Sequence, residues 1–311
     1  MELFCENLTY RLQNLVFCRI MQTENEGSKA MENQSRPAIR LIAFDLDGTF
    51  LDREKKIPEE NIRAIEQAAK KGIEIVPATG RLYAGLPEEI RALPFIRYFI
   101  LVNGAKVYDA KEDKVLYAAD LTNELALALF RHGDDLGCLY DCYLRDEGLM
   151  SRRMYDRLED YVADKHYVKY MKAIRRPVDD LPSLIREDGG TVQKVQYFFR
   201  DNEKRLRQLA SLPVEYPGVK ATSSMPTNIE INAADASKGP ALERLCRHLG
   251  FTAEHAAAFG DSTNDLDMLQ KAGVGIAMRN SDKSLFEAAD MITACDNNDA
   301  GVGKTIMELI G

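Results

Sequence analysis

A short apolar segment at residues 41–44, LIAF, ends in two aspartates, Asp45 and Asp47, which are followed by Gly48 and Thr49. Aspartate is disfavoured inside strands, and two carboxylates one residue apart repel each other. The pattern therefore predicts a buried strand that ends at Asp45 and brings two negative charges to one point just beyond it.

The segments that follow alternate between strand and helix. A helix is predicted over PEENIRAIEQAAKKG, because Pro58 and two acids occupy its first turn and Gly72 follows its last lysines. Further strands are predicted at IEIVPATGR and at residues 98–105, so that, counted from the opening strand, roughly 30 residues separate strand starts, as in βαβ units. This spacing is typical of right-handed crossovers on a parallel sheet. The alternation returns near the C-terminus and closes with a helix at GVGKTIMELIG.

Residues 118–225 have a different pattern. Strands rich in aromatic residues, such as CLYDCYL and KVQYFFR, are separated by helical stretches such as DNEKRLRQLASL. This pattern favours an antiparallel α+β module inserted into the parallel domain. Residues 1–38 lack a leading basic region, so we expect no secretory signal there but an extension outside the fold.

Composition narrows the classes of partner. The net charge of −8 offers no basic excess to neutralise nucleic-acid phosphates, and no apolar run reaches the roughly 20 residues that span a bilayer. The six cysteines form no C-x-x-C pair, and the four histidines have no ligand spacing. We therefore expect reduced thiols in a cytoplasmic protein, no zinc site, and neither nucleic acid nor membrane as a partner.

Polar residues follow four of the predicted strands. In open parallel sheets, ligands bind beyond the carboxyl ends of the strands, so these residues should converge. Three acids at one point need a cation, and oxygen ligands without histidine or cysteine favour Mg²⁺. A hydroxyl and backbone N–H groups at a helix start suit an anion. The residues are Asp45 and Asp47, Thr79 and Gly80, Asn103, and Asp261, Asn264 and Asp265.

Each motif has an ordinary structural explanation when it is taken alone. Thr79-Gly80-Arg81 can be a turn with a helix cap, Lys238 a solvated lysine, and the acids of GDSTNDLDM a helix cap. The segment NDAGVGKT also resembles a nucleotide-binding P-loop. Asn298 replaces its first glycine, however, and the βαβ context that a P-loop needs is missing. Together and in this order, the motifs predict a metal-assisted phosphoryl site.

DLDGT, TGR, SKG and GDSTND resemble the four motifs of the haloacid dehalogenase-like phosphatases. NGA and the inserted module resemble the Cof-type sugar-phosphate phosphatases, which carry a large α/β cap after the second motif. The resemblance implies an α/β fold, with a Rossmann-like parallel-sheet core and an inserted α+β cap domain. The core would comprise residues 39–117 and 226–311, and the cap residues 118–225.

The resemblance also implies a role for each motif residue. Asp45 would be the nucleophile, and Asp47 the general acid and then the base. Mg²⁺ would be held by Asp45, the Asp47 backbone carbonyl and Asp261, while Asp265 would orient Lys238 or the metal's waters. The groups expected to contact the phosphoryl oxygens are the Leu46 backbone N–H, Thr79, Gly80, Lys238 and Asn264.

The favoured function is a Mg²⁺-dependent phosphatase of small phosphate monoesters, with a sugar phosphate as the usual substrate of such a family. A phosphotransferase or phosphomutase of the same superfamily is the alternative. A non-catalytic phospholigand-binding module is disfavoured, because binding alone does not need the second acid, Asp47. The expected partner is a small phosphorylated metabolite, and the expected state a monomer or small homo-oligomer. Candidate polar residues of the cap are Tyr140, Asp141, Tyr143, Arg152 and Arg153.

Overall fold

The computed structural model describes residues 37–311, so residues 1–36 of the predicted extension lie outside the described residues. The strands, in chain order, are β1 (Leu41–Phe44), β2 (Glu74–Pro77), β3 (Tyr98–Leu101), β4 (Lys106–Asp109), β5 (Lys114–Ala118), β6 (Leu139–Leu144), β7 (Glu147–Ser151), β8 (Arg175–Val178), β9 (Val192–Phe198), β10 (Val219–Thr222), β11 (Asn228–Ala233), β12 (Ala256–Gly260), β13 (Val274–Ala277) and β14 (Met291–Ile292). The helices are α1 (Glu59–Lys70), α2 (Glu88–Arg91), α3 (Asn123–Leu136), α4 (Arg152–Tyr155), α5 (Lys165–Ile174), α6 (Leu181–Asp188), α7 (Asn202–Glu215), α8 (Lys238–His248), α9 (Leu266–Lys271), α10 (Lys283–Phe286) and α11 (Gly301–Ile310).

The first sheet has five parallel strands in the order β14-β13-β12-β1-β2. Its central strand β1 is apolar and fully buried, as a strand covered on both faces should be. Phe44 at its end lies in register with Phe259 of β12 and Pro77 of β2. The residues that follow these three strands therefore emerge at the same edge of the sheet, as the sequence predicts.

Helices cover both faces of this sheet, and successive residues of β1 alternate between them. Ile42 and Phe44 belong to one apolar cluster with residues of α1 and α11. Leu41 and Ala43 belong to a second cluster with residues of α8 and α9. Because side chains of a strand alternate between its faces, a strand of apolar residues alone fits only between two helical layers. The predicted α/β class is confirmed.

The segment that resembles a P-loop forms the start of α11. The N–H of Gly303 donates to Oδ1 of Asn61 at 2.7 Å, and a Cβ at Gly303 would lie 2.7 Å from the carbonyl oxygen of Glu60. The glycine thus allows α11 to pack closely on α1. A phosphate has no place against this backbone, and the P-loop alternative is wrong.

The segment 98–105 differs in structure from the single strand predicted there. Strand β3 ends at Leu101, forms a single parallel bridge, between Ile100 and Ala78 just beyond β2, and otherwise pairs antiparallel with β4. Val102, Asn103 and Gly104 all have positive φ and turn the chain back into β4. The expected βαβ crossover is present in β1-α1-β2, but the parallel sheet does not continue through 98–105, where the chain forms a short three-stranded sheet, β3-β4-β5.

The remaining sheet has six strands in the order β10-β11-β9-β6-β7-β8, antiparallel except for β7 and β8. The hydroxyl of Tyr197 in β9 donates to the carbonyl of Leu129 in α3, so Tyr197 faces that helix. Lys194 points the other way and donates to the carbonyl of Gly80, beyond β2, at 3.0 Å. This sheet caps the carboxyl ends of the parallel strands, which confirms the inserted cap. Its exact limits, 118–225, stay a prediction.

No helix in the described part of the chain is long and apolar enough to cross a membrane.

Candidate active site

The chain turns sharply after β1 to bring Asp45 beside Asp261. The N–H of Asp45 donates to the carbonyl of Phe259 at 3.0 Å, which continues the pairing of β1 with β12. Gly48 has a φ of 91°, and a Cβ at this position would lie 2.5 Å from Oδ2 of Asp261. A glycine is required here both for its backbone conformation and for the close approach of the carboxylate.

Three carboxylates meet at this edge of the sheet. Asp45, Asp261 and Asp265 each offer an oxygen within 4.8 Å of the others. The hydroxyl of Thr49 donates to Asp261 Oδ1 at 2.7 Å, and that of Ser262 donates to Oδ2 at 3.0 Å. These hydroxyls fix the orientation of the Asp261 carboxylate. Oxygen ligands of this kind suit a hard divalent cation, so the cluster could bind a metal.

Lys238 begins helix α8 and is fully buried. Its Nζ donates to Asp45 Oδ1 and to Asp265 Oδ1, both at 2.6 Å. The other oxygen of Asp265 accepts the backbone N–H groups of Asp261 and Ser262, both at 3.1 Å. A solvated lysine is therefore the wrong interpretation. Both oxygens of Asp265 are engaged, in agreement with an orienting role.

The cluster carries more negative charge than Lys238 neutralises. Burial raises the pKa of Asp45 well above its ordinary value although Lys238 opposes the shift, and the neighbouring acids raise it further. Burial and the charge of Asp265 raise the pKa of Asp261 to about 7. Burial alone would lower the pKa of Lys238, but the carboxylates of Asp265 and Asp45 raise it, so the lysine stays charged. A dication would relieve this repulsion.

Asp47 is held by cations rather than by the acidic cluster. Arg81 donates from Nε to Oδ2 at 2.7 Å and from Nη2 to Oδ1 at 2.6 Å, and Lys55 donates to Oδ1 at 2.8 Å. Burial pushes the pKa of Asp47 upward, but Arg81 and Lys55 outweigh it and hold the pKa well below its ordinary value. Asp47 is thus ionised in this arrangement. Neither residue is among the predicted site residues: the TGR motif places Arg81 near the site without indicating its contact with Asp47, and no sequence signal marks Lys55.

Some of the predicted site residues line one cavity, and the others lie next to it. Thr79, Gly80 and Asn264 line it together with Asp45 and Asp47. A Cβ at Gly80 would lie 2.7 Å from Oδ1 of Asn103, the same oxygen that accepts from Nδ2 of Asn264 at 3.2 Å. The other predicted residues are not part of the cavity wall and are buried or half-buried next to it. They are Leu46, Lys238, Asp261 and Asp265.

The cavity has a volume of about 800 Å³, within the usual range of small-molecule sites. The side chains that line it on the cap side include three tyrosines, a lysine, an amide and a carboxylate, namely Tyr143, Tyr167, Tyr170, Lys194, Gln196 and Glu230. Of the five cap residues singled out from the sequence, Tyr143 alone lines it. Asp141 is buried in an ion pair with Arg175. Tyr140 stacks on Phe130, and the exposed arginines pair with Asp179 and Asp134.

Comparison with known proteins decides the family. The family model described as haloacid dehalogenase-like hydrolase matches residues 42–306. The chain is a haloacid dehalogenase-like hydrolase. This hydrolase is 31% identical over 275 residues to the 5-amino-6-(5-phospho-D-ribitylamino)uracil phosphatase YcsE of Bacillus subtilis, covering 86% of this chain and 94% of the relative. It is 30% identical over 243 residues to the HMP-PP phosphatase of Yersinia pseudotuberculosis, covering 78% and 84%.

Solved structures agree with this assignment. A haloacid dehalogenase-like hydrolase from B. subtilis is 28% identical and superposes with a TM-score of 0.75, covering 87% of this chain and all of the other. The predicted family, fold and enzyme class, a hydrolase of phosphoric monoesters, are therefore confirmed.

Proposed function

We propose that this hydrolase is a Mg²⁺-dependent phosphatase that cleaves small phosphate monoesters through an aspartyl-phosphate on Asp45. One observation carries the proposal. Lys238 holds Oδ1 of Asp45, whereas Oδ2 has no hydrogen-bond partner among residues 37–311, and Asp45 lines the cavity. A carboxylate with one anchored and one free oxygen is oriented to attack phosphorus.

Asp45, Asp261 and the backbone carbonyl of Asp47 would hold the Mg²⁺. The donor set fits this ion, since it consists of hard oxygens, and burial together with neighbouring acids raises the pKa of Asp45 and of Asp261. When bound, the ion supplies Lewis-acid stabilisation of the charge on the phosphoryl oxygens. Asp265 contributes indirectly, because both of its oxygens are used to hold Lys238 and two backbone N–H groups.

The phosphoryl oxygens would be bound by donors of the core. These are the Thr79 hydroxyl, the backbone N–H groups of Leu46 and Gly80, Lys238 Nζ and Asn264 Nδ2. The Asn264 Oδ1 atom is buried and has no partner within the described residues; it is an acceptor, so it is open to a donor such as a water or a substrate hydroxyl and not to a phosphoryl oxygen.

Asp47 would give a proton to the leaving oxygen and then take one from the attacking water. In its pairing with Arg81 and Lys55 it is ionised and cannot donate. An incoming phosphate dianion competes for the same two cations, and Asp47 is thereby freed to take up its proton and turn to the leaving oxygen. Arg81 and Lys55 are thus part of the proposed substrate-binding machinery.

The substrate would be a small phosphorylated metabolite, with sugar phosphates as the first class to assay. The names of the two relatives, a phosphatase of a phosphoribitylamino-uracil and an HMP-PP phosphatase, support this size and chemistry. The net charge of −8 supports the exclusion of nucleic acid, and the free cysteines of the described part support a cytoplasmic location.

A panel of phosphate esters assayed with Mg²⁺ tests this function. We expect Asp45→Asn to lose at least about a thousandfold in kcat/KM on every ester, since the amide keeps the shape but is not a nucleophile. Asp52→Asn is the matched control on the same segment, because among residues 37–311 the Asp52 carboxylate accepts only from the backbone N–H groups of Glu54 and Lys56. Full activity of Asp45→Asn, or undiminished wild-type activity in excess chelator, would contradict the proposal.

A further inference from the structure

The cap presents a row of buried polar side chains where a sheet covered on both faces ordinarily carries apolar ones. Glu230 of β11 and Asp141 of β6 both lie in register with Gln196 of β9, which stands between them. All three are buried. Burying charges and amides costs free energy unless they bind one another or a ligand. The hydrogen bonds of the row show which groups are already satisfied.

Each carboxylate has a partner. Asp141 Oδ2 accepts from Nε of Arg175, and Glu230 accepts from Asn103 and from the Ser224 hydroxyl, with Lys194 Nζ at 3.4 Å. Asp141 Oδ1 and Arg175 Nη1 are buried without a hydrogen-bond partner among residues 37–311. The row therefore does not need a ligand to balance its charge.

Gln196 is satisfied on one side only. Its Oε1 accepts from Nη2 of Arg175 at 3.0 Å. Because a guanidinium can only donate, this contact fixes the orientation of the amide and leaves Nε2 as a donor. Nε2 is buried and has no partner in the part of the chain that the structure describes. Gln196 also lines the large cavity, whereas Asp141 and Arg175 do not.

The position of Gln196 relates it to the proposed phosphate site. Lys194, two residues earlier on β9, donates to the carbonyl of Gly80 at 3.0 Å. Two residues of a strand span about 7 Å. Gln196 therefore lies about one sugar ring away from the residue that contacts the core. Tyr143 lies beside this path, with its ring centroid 4.5 Å from Lys194 Nζ.

We infer that Gln196 is a specificity-determining residue, whose Nε2 donates a hydrogen bond to an oxygen of the leaving group about one ring beyond the phosphate. Arg175 is the positioning residue that aims this amide. The enzyme accordingly favours oxygenated leaving groups of ring size over hydrocarbon groups of the same shape. This inference rests on the proposed phosphatase function and goes beyond it by naming the chemistry of the leaving group.

Two matched pairs of esters test it. Each pair joins a sugar phosphate to an oxygen-free ring of the same size: ribose 5-phosphate with cyclopentylmethyl phosphate, and glucose 6-phosphate with cyclohexylmethyl phosphate. The readout is the ratio of kcat/KM within each pair. We expect wild-type enzyme to prefer the sugar in at least one pair, and Gln196→Met to reduce that preference about tenfold, the factor of one hydrogen bond.

Gln193→Met is the matched control. Gln193 lies on the same strand and is buried, but its amide binds Asp146 and does not line the cavity. Its substitution should keep the preference. Gln196→Glu is the second variant, in case thermal melting shows Gln196→Met to be unfolded. It retains an acceptor for Arg175 and replaces the donor by an acceptor, so it should also lose the preference.

Hydrolysis of acetyl phosphate by wild-type enzyme separates the two possible failures. If acetyl phosphate is cleaved but a folded Gln196 variant keeps the full preference, or wild-type enzyme has no preference in either pair, this inference is wrong and the phosphatase function stands. If wild-type enzyme cleaves neither acetyl phosphate nor any ring ester, the proposed function is wrong and the inference falls with it.

Discussion

Lys238→Met tests whether the acidic cluster depends on its buried ammonium. The substitution keeps an apolar stem of similar length but removes the charge that contacts Asp45 and Asp265 at 2.6 Å each. Lys238 and Asp265 are completely inaccessible to solvent, and Asp45 nearly so, so water cannot replace the lost contact. Breaking a buried ion pair typically costs about 3–5 kcal/mol. We expect a loss of this size in the free energy of unfolding when no metal is bound.

The loss should depend on pH in a defined direction. Burial already raises the pKa of Asp45 against the influence of Lys238, so removing the lysine raises it further. A carboxyl whose folded pKa exceeds its unfolded value of about 3.9 costs stability once the pH rises above that value. The deficit of the variant should therefore be largest near about pH 8 and shrink toward about pH 5, where Asp45 takes up a proton.

Urea unfolding with chelator present, at both pH values, measures this deficit. Lys220→Met is the matched control, because Lys220 also contacts a carboxylate, that of Asp267 at 3.0 Å, but its side chain is 34% exposed. It should cost at most about 1 kcal/mol. The reasoning is refuted if Lys238→Met costs no more than this control near pH 8, or if its deficit does not shrink on acidification.

Three further outcomes are expected. Burial pushes the pKa of Glu230 upward and Lys194 lowers it, so Lys194→Met leaves a buried carboxylate without its cation. The loss in the free energy of unfolding, measured in urea, should be roughly 2–4 kcal/mol near pH 8 and smaller near about pH 4. Gly104→Ala should cost more than about 2 kcal/mol, since its Cβ would lie 2.2 Å from a backbone carbonyl. Gly72→Ala, at a similar φ but in open space, should cost about 1 kcal/mol in the same thermal melts. Mg²⁺ at a hundredfold excess over its Kd should stabilise wild-type enzyme by about 2.7 kcal/mol but not Asp261→Ala, and the effect should weaken below about pH 7, where protons compete for Asp261.

The core site could be predicted because it depends on local patterns and one rule of topology. Apolar runs that end in acids mark β1 and β12, and parallel pairing places the residues after them at one edge. This rule brings Asp45 to Asp261 without knowledge of any side-chain contact. The turn at Val102–Gly104 was beyond such reasoning, because a short apolar strand looks the same whether it continues a parallel sheet or reverses into a hairpin.

The cap residues could not be predicted for a different physical reason. The alternation in KVQYFFR places Lys194 and Gln196 on one face of β9, and a polar face ordinarily meets solvent. That this face is buried follows from the strand order β11-β9-β6 and from the position of the cap over Gly80. Likewise, the contact of Arg81 with Asp47 depends on side-chain geometry that the TGR motif does not encode.

The covalent intermediate on Asp45 is the central claim, and one measurement addresses it directly. The enzyme is quenched in acid during turnover with Mg²⁺ and acetyl phosphate, digested with pepsin at the same acidic pH, because an acyl phosphate hydrolyses at the pH that trypsin needs, and analysed by mass spectrometry. We expect a peptide from the segment 41–53, LIAFDLDGTFLDR, to be one phosphoryl group heavier, fragmentation to assign the group to Asp45, and Asp45→Asn to yield none. An unmodified peptide at steady turnover, or a phosphoryl group on another residue, would contradict it.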